Sequence, residues 1–155
     1  MNKLVFVIAA AGVLAAGAAR AQAPDHTVVT PGELKWVPAP DALPKGAQAA
    51  LLYGDPSKNG PFALRLKAPK GYRIPPHTHP RQEVVTVISG DFRLGMGPGG
   101  DPAAAQALPA GSFFALPPGM VHYASADDET VIQLNSIGPW TINYVNPKDD
   151  PRRAK

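Results

Sequence analysis

The sequence contains no cysteine among its 155 residues, and this absence excludes disulfide bridges and thiolate metal ligands. Any bound metal ion must therefore be held by nitrogen and oxygen atoms. Aromatic residues are scarce, at 7% of the chain, and 19 prolines and 15 glycines interrupt the sequence too often for long helices. Together these features predict short strands and turns around a modest core.

The chain also lacks a strong excess of charge. Its formal net charge is +3, but two of its 15 basic residues, Lys3 and Arg20, lie near the N-terminus, and all 12 acidic residues follow them. The remaining chain has 13 basic residues against 12 acidic ones, and its longest basic run is the pair Arg152 and Arg153. Nucleic-acid-binding proteins carry a clustered basic surface. We therefore expect no nucleic-acid partner.

No apolar run is as long as a membrane-spanning helix, which needs about 20 residues. The apolar residues 4–19 follow a single lysine and end in small residues with A-x-A spacing, which is the layout of a secretory signal peptide. Cleavage after Ala21 or after Ala23 fits this spacing. The sequence predicts a signal peptide at residues 1–23, no stable membrane anchor, and a protein that is periplasmic or secreted in a bacterium.

The rest of the chain is predicted to be one all-β domain. Residues 24–33 form an N-terminal arm, 34–146 the domain, and 147–155 a polar tail that is expected to fray. Alternation of apolar and other residues in 62–67 indicates a strand with one buried face. Residues 83–88 are apolar on both faces apart from Glu83 and Thr86, and they are expected to be covered on both faces by a second sheet layer or by a subunit partner. Residues 95–109 are predicted to be a loop with a short alanine turn. The predicted strands are 34–37, 49–53, 62–67, 83–89, 92–94, 112–116, 121–125, 130–135 and 141–145.

Three of the four histidines fall in two compact motifs. The first motif occupies residues 71–90 and reads GYRIPPHTHPRQEVVTVISG. Side chains alternate between the faces of a strand, so His77 and His79 point the same way, and Glu83 keeps the same parity if the strand continues. The motif therefore predicts two imidazoles and one carboxylate on a single face.

The second motif occupies residues 111–122 and reads GSFFALPPGMVH. Its Pro-Pro-Gly segment predicts a turn that leads into a strand beginning near His122. If this strand packs beside the first motif, the His122 imidazole meets the other three groups. Three imidazoles and one carboxylate suit a divalent transition-metal ion and leave room for water or substrate.

The two motifs resemble the cupin patterns G-x5-H-x-H-x3-E-x6-G and G-x5-P-x-G-x2-H. One departure is Ala126, which stands where many cupins have asparagine. The resemblance implies a cupin jelly-roll barrel of six to eight strands in a single domain. It also implies that one divalent metal ion (Fe, Mn, Zn, Ni or Cu) is bound by His77, His79, Glu83 and His122. Cupins with one copy of each motif are commonly dimers, so a homodimer is expected.

The resemblance leaves two functions open. The first is a metal-dependent enzyme of oxygenase or lyase type that acts on a small organic molecule, with Glu83 as a ligand and candidate proton acceptor. The second is a non-catalytic module of the cell envelope that binds a metal or a small ligand. Open coordination positions favour the first, and the lack of a second acid or base on the ligand face favours the second. The predicted pocket residues are Val85, Val87, Met120, Ala124 and Gln133.

Overall fold

A computed structural model describes residues 26–153, and over this range the chain forms eleven strands and four short 3-10 turns. The strands are β1 (Val37–Pro38), β2 (Gln48–Tyr53), β3 (Gly60–Ala68), β4 (Arg73–Thr78), β5 (Glu83–Ser89), β6 (Asp91–Met96), β7 (Gln106–Pro109), β8 (Phe113–Leu116), β9 (His122–Ala126), β10 (Thr130–Gly138) and β11 (Asn143–Tyr144). The 3-10 turns are Pro31–Glu33, Pro102–Ala104, Pro147–Asp149 and Pro151–Arg153.

The strands are arranged in two antiparallel sheets that enclose one core. The six-stranded sheet has the order β1-β2-β3-β10-β5-β8, and the five-stranded sheet has the order β11-β4-β9-β6-β7. This arrangement confirms the predicted all-β jelly roll with a single domain. The predicted closed barrel is wrong in one respect, because no ladder joins the two sheets within residues 26–153. The fold also has eleven strands rather than the expected six to eight, and two of them, β1 and β11, have only two residues each.

The inner faces of the strands follow the sequence pattern. Phe62 on β3 is only 2% exposed and Leu66 is also buried, which agrees with the predicted alternation. On β5, Val85 and Val87 are fully buried, but Ile88 on the outer face is 41% exposed. The outer face of β5 is therefore not covered by the described part of the chain, and the other expected cover, a subunit partner, stays a prediction.

Strand β7 was not expected from the sequence, and strand β4, on which His77 was expected, is irregular. Strand β7 lies where a loop was predicted, and it forms because Gln106–Pro109 pairs with β6 from Asp91 to Leu94. Strand β4 contains two consecutive prolines, Pro75 and Pro76, which lack the N–H group that a ladder needs. Its pairing with β9 accordingly shifts register between Ile74 and His77. Both strands depend on partners that are distant in sequence.

The turn at Gly90 carries the chain from the six-stranded sheet into the five-stranded sheet. Gly90 has a φ of +84°, in the region that favours glycine. A Cβ atom at this position would also collide with the carbonyl of Glu129 and with Thr130. Any side chain at position 90 would therefore displace the start of β10.

The C-terminal tail is folded as far as it is described. Residues 147–153 form two 3-10 turns, and the Arg152 guanidinium donates a hydrogen bond of 2.9 Å to the carbonyl of Ile142. Arg152 also donates to Asp150 at 2.7 Å. These polar contacts connect residues 147–153 to the segment just before β11, and the expectation that the tail frays stays a prediction.

The predicted signal peptide at residues 1–23 lies outside the described residues. Within residues 26–153, none of the helical segments has the length and apolar character needed to cross a bilayer.

Candidate metal centre

Three elements bring the four predicted ligands together at one end of the space between the sheets. His77 on β4 and His122 on β9 are direct register partners in the five-stranded sheet. His79 follows immediately after β4, and Glu83 is the first residue of β5 in the facing sheet. The exposed fractions of His77, His79, Glu83 and His122 are 3%, 5%, 8% and 3%, so all four are buried.

The three imidazoles form a compact group. One nitrogen from each of His77, His79 and His122 lies within 4.8 Å of the others. Glu83 is not part of that group, but its carboxylate is in contact with two of the rings. Its Oε2 atom lies 3.1 Å from His122 Nε2, and its Oε1 atom lies 3.6 Å from His79 Nε2. The structure thus brings all four predicted residues to one place.

Hydrogen bonds to the backbone set the orientation of each ring. The Nδ1 atoms lie 2.7 Å from the Pro75 carbonyl for His77, 2.8 Å from the Thr141 carbonyl for His79, and 3.0 Å from the Met120 carbonyl for His122. A carbonyl oxygen can only accept a hydrogen bond, so each Nδ1 must carry the hydrogen. In a neutral imidazole, Nε2 then holds a free lone pair. This arrangement is typical of metal-binding histidines, whose second nitrogen donates to a neighbouring group.

Inside the group, hydrogen-bond acceptors on the imidazoles therefore face the acceptor oxygens of the Glu83 carboxylate, with no hydrogen between them. The Nε2 lone pairs of His79 and His122 are directed towards the Glu83 carboxylate, which has no hydrogen to donate when it is ionised. Within residues 26–153, His79 Nε2 and Glu83 Oε2 are the two buried side-chain atoms without a hydrogen-bond partner. Buried polar groups without partners are costly. A divalent cation would satisfy these atoms together, so the donor set fits a metal ion.

Burial favours the metal-binding form of the His77 and His79 imidazoles. Burial, with smaller contributions from His122 and His79, lowers the pKa of His77 to about 3. Burial also lowers the pKa of His79, although the negative charge of Glu83 opposes that shift. His77 is therefore neutral at neutral pH, and the lowered pKa of His79 favours its neutral form; neutral imidazole is the form with a free lone pair.

A short segment after β10 fixes His79 from the other side. The indole of Trp140 stacks on the His79 ring, with 4.1 Å between centroids and 18° between planes. Trp140 also makes an edge contact with Phe62, with 5.8 Å between centroids. The sequence analysis did not identify Trp140 or the Thr141 carbonyl as part of the site. No local pattern indicates them, because they lie about 60 residues from His79 in the chain.

An internal cavity of about 180 Å³ opens onto the four polar groups. Apart from the four predicted ligands and Thr141, its lining is apolar. The larger aliphatic and aromatic side chains that line it are Leu43, Leu64, Leu66, Ile74, Phe92, Phe114, Ile132, Leu134, Trp140 and Ile142.

Of the five predicted pocket residues, Ala124 lines this cavity. Val85 and Val87 face inwards but are fully buried by neighbouring side chains and do not reach the cavity. Met120 is 39% exposed in the turn before β9, and its carbonyl, rather than its side chain, contacts His122. Gln133 lies on the outer face of β10 beside Arg65, because its inward neighbours are Ile132 and Leu134. The predicted positions of these four residues are therefore corrected.

Comparison with known proteins identifies the family to which this chain belongs. The model of the family described as a domain of unknown function (DUF4437) matches residues 27–150. A germin-like protein from Mesembryanthemum crystallinum is 40% identical over 89 residues, which cover 51% of this chain and 38% of that protein. The chain spans little more than a third of the length of the curated relatives that it matches.

Two solved structures show the same fold. An RmlC-like cupin from Shewanella frigidimarina has a TM-score of 0.58 and 16% identity, over 74% of this chain and 94% of that one. An acetylacetone dioxygenase from Acinetobacter johnsonii has a TM-score of 0.61 and 17% identity, over 83% of each chain. At such identities the likeness concerns the fold alone. The family match, the fold and the two motifs together place this chain in the DUF4437 family and in the cupin superfamily.

Proposed function

We propose that this chain binds one divalent transition-metal ion through His77, His79, His122 and Glu83, and that it is a metal-dependent enzyme acting on a small organic molecule. The observation that carries the proposal is the buried set of acceptors: three imidazoles are oriented by backbone carbonyls so that their Nε2 atoms face a carboxylate. Such a set has no internal hydrogen to share, and a cation satisfies it.

The residues of the chain have distinct tasks in this proposal. The Pro75, Thr141 and Met120 carbonyls hold the three rings, and the Trp140 ring prevents His79 from turning. A bound divalent ion would supply Lewis-acid or oxygen-binding chemistry at the polar end of the cavity. Glu83 completes the donor set and is the one carboxylate beside the cavity in the described structure, so it is also our candidate proton acceptor.

An oxygenase or lyase type of reaction is our preferred proposal. The cavity provides a volume of about 180 Å³ beside the donor set, so that a substrate has room next to the ion. The fold is shared with an acetylacetone dioxygenase, which supports an oxygenase among the reactions that this fold accommodates.

A second candidate function is supported by the composition of the cavity. Beyond the four donor residues, Thr141 is the one lining residue in the described part of the chain with a hydroxyl, carboxyl, amide or amino side chain. A reaction that needs a separate acid and base would find no second group there. This favours a non-catalytic module that binds a metal or a small ligand in the cell envelope.

Metal content and turnover distinguish these candidates. We expect the purified protein to contain one metal ion per chain by elemental analysis, and His122→Ala to lose it because the variant lacks one ring of the group. His26→Ala is the matched control, since His26 is exposed and outside the group, and it should keep its metal. Full metal content in His122→Ala would contradict the proposed ligand set.

Oxygen uptake or product formation by the metal-loaded protein would support the enzyme, and metal or ligand binding without turnover would support the module.

Export and assembly stay predictions. The signal-peptide pattern in residues 1–23 supports a periplasmic or secreted protein, and N-terminal sequencing of the exported chain would test it. Phe113 on the edge strand β8 is 62% exposed and shares the outer face of its sheet with Ile88, and this apolar surface supports a homodimer. The molar mass in solution would test it.

A further inference from the structure

The cavity beside the candidate metal centre has its polar atoms at one end. The three imidazoles, Glu83 and Thr141 lie together there, since Thr141 accepts the hydrogen bond from His79. The indole of Trp140 stacks on the same histidine. All other lining residues in the described structure are aliphatic, phenylalanine or proline, so the polarity of the cavity changes along its length.

The apolar part continues away from the histidines. Ile74 on β4 and Ala124 on β9 line this part and are register partners. Ile74 lies three residues from His77, and Ala124 lies two residues from His122. This separation corresponds to about 7–10 Å along the strands. Leu66 and Ile132, which pair across β3 and β10, line the same region and extend into a second, smaller pocket. A ligand that reaches the metal end therefore has its far end surrounded by hydrocarbon.

The volume limits the size of that ligand. An apolar cavity of about 150 Å³ is large enough to bind benzene. The cavity here, at about 180 Å³, accommodates a body of benzene size with a short polar group attached. A hydroxyl or charge on the far end would lose its water and find no partner, and each such group costs about tenfold in affinity or more.

We propose that the cavity takes a small ligand with an apolar body and polar atoms at one end only, and that it excludes sugars, polyols and molecules charged at both ends. The inference rests on the proposed function in one respect: the polar end is taken to face the metal ion. The apolar body is recognised by the chain itself and does not depend on the metal.

The isoleucines of the chain provide a direct test by methyl NMR. Benzyl alcohol is the probe with one polar end, and myo-inositol is the polyol of similar ring size. Benzyl alcohol should shift the methyl signals of Ile74 and Ile132 in the cavity, while Ile88 and Ile137 on the outside stay unchanged. We expect its affinity to exceed that of myo-inositol by at least about tenfold. Failure of benzyl alcohol to bind, or equal binding of myo-inositol, would overturn the proposal.

A cavity-filling variant locates the binding site. Leu134→Phe places a larger ring in the cavity and should weaken benzyl alcohol binding by about tenfold or more. Ile137→Phe on the same strand is the matched control, because Ile137 is 56% exposed, and it should bind like the unaltered protein. If Leu134→Phe does not fold, Leu64→Phe replaces it, since Leu64 pairs with Leu134 and is less buried. Unchanged binding in the folded cavity variant would overturn the proposal.

The metal-free and metal-loaded proteins separate this inference from the proposed function. Binding of benzyl alcohol by a protein that takes up no metal ion would contradict the metal centre and support the cavity inference. Stoichiometric metal uptake together with preference for myo-inositol would support the metal centre and overturn the cavity inference.

Discussion

The two ends of the cavity are stabilised in different ways. At the polar end, three buried imidazoles are held by hydrogen bonds to three backbone carbonyls, and one atom of His79 and one of the buried Glu83 carboxylate have no hydrogen-bond partner. At the apolar end, Leu66, Ile74 and Ile132 are held by packing alone. Burying unpaired polar atoms destabilises a fold, whereas burying hydrocarbon stabilises it. The comparison indicates that the apolar end supports the fold and that the polar end costs stability, which agrees with the metal site proposed there.

The largest expected effect comes from Trp140, whose ring connects the polar end to the hydrophobic core. Trp140→Ala removes both the stack on His79 and the edge contact with Phe62. We expect the free energy of unfolding to fall by about 3 kcal/mol, as for truncation of a large aromatic side chain in a core. Denaturant unfolding of the metal-free protein measures this change.

Trp36 is the matched control for this prediction. Its ring is half-buried and contacts the Lys67 ammonium at 4.6 Å, at a distance from the cavity. Trp36→Ala should lower the free energy of unfolding by about 1 kcal/mol, the size of a cation–π contact at the surface. Equal losses in the two variants would show that the contacts of Trp140 with His79 and Phe62 contribute no more to stability than a surface contact does.

The next largest expected effect is a loss of metal affinity on changing Glu83 at the polar end. Glu83→Gln keeps the shape of the side chain but removes its negative charge, and we expect metal affinity to fall at least about tenfold, or about 1.4 kcal/mol. Competition with a chelator of known affinity measures it. Gln133→Glu is a useful comparison, because it adds a carboxylate on the outer face of the sheet and should leave the affinity unchanged. Equal metal affinity in Glu83→Gln would remove the carboxylate from the donor set.

The smallest effect concerns the loop of residues 39–47, which covers the cavity with Pro40, Ala42 and Leu43. The Tyr144 hydroxyl donates to the Ala42 carbonyl at 2.8 Å. Burial raises the pKa of Tyr144 to about 12, so this hydroxyl stays protonated and donates at neutral pH. Tyr144→Phe should lower the free energy of unfolding by about 1 kcal/mol.

Local opening of this loop is measured by trypsin cleavage after Lys45, which should become faster in Tyr144→Phe. Tyr72→Phe is the matched variant, because the Tyr72 hydroxyl donates to Pro44 of the same loop at 2.6 Å. We expect both variants to open the loop to a similar degree. Cleavage at the rate of the unaltered protein in both would show that the two hydroxyls do not hold the loop.

Much of the polar end could be predicted from the sequence. The spacing of His77 and His79 predicts that their side chains point the same way by strand parity. The predicted continuation of that strand to Glu83 is wrong, because β4 ends at Thr78 and Glu83 begins β5 in the facing sheet, from which its carboxylate reaches the histidines. Parity was less informative for the pocket: Val85 and Val87 do face inwards, but their neighbours fill the space in front of them. Gln133 was expected at the mouth, yet it lies one position out of phase with Ile132 and Leu134. Burial depth depends on packing, which local alternation does not describe.

The sequence by itself determined the types of ligand atom, their order in the chain and the all-β fold, because these follow from residue chemistry and from periodicities of a few residues. The tertiary structure decided which carbonyl holds each ring, and it brought Thr141 and Trp140 to His79 across about 60 residues. It also decided that the cavity is polar at one end only. Such features depend on the register between strands that are distant in the chain, and no local pattern of residues specifies that register.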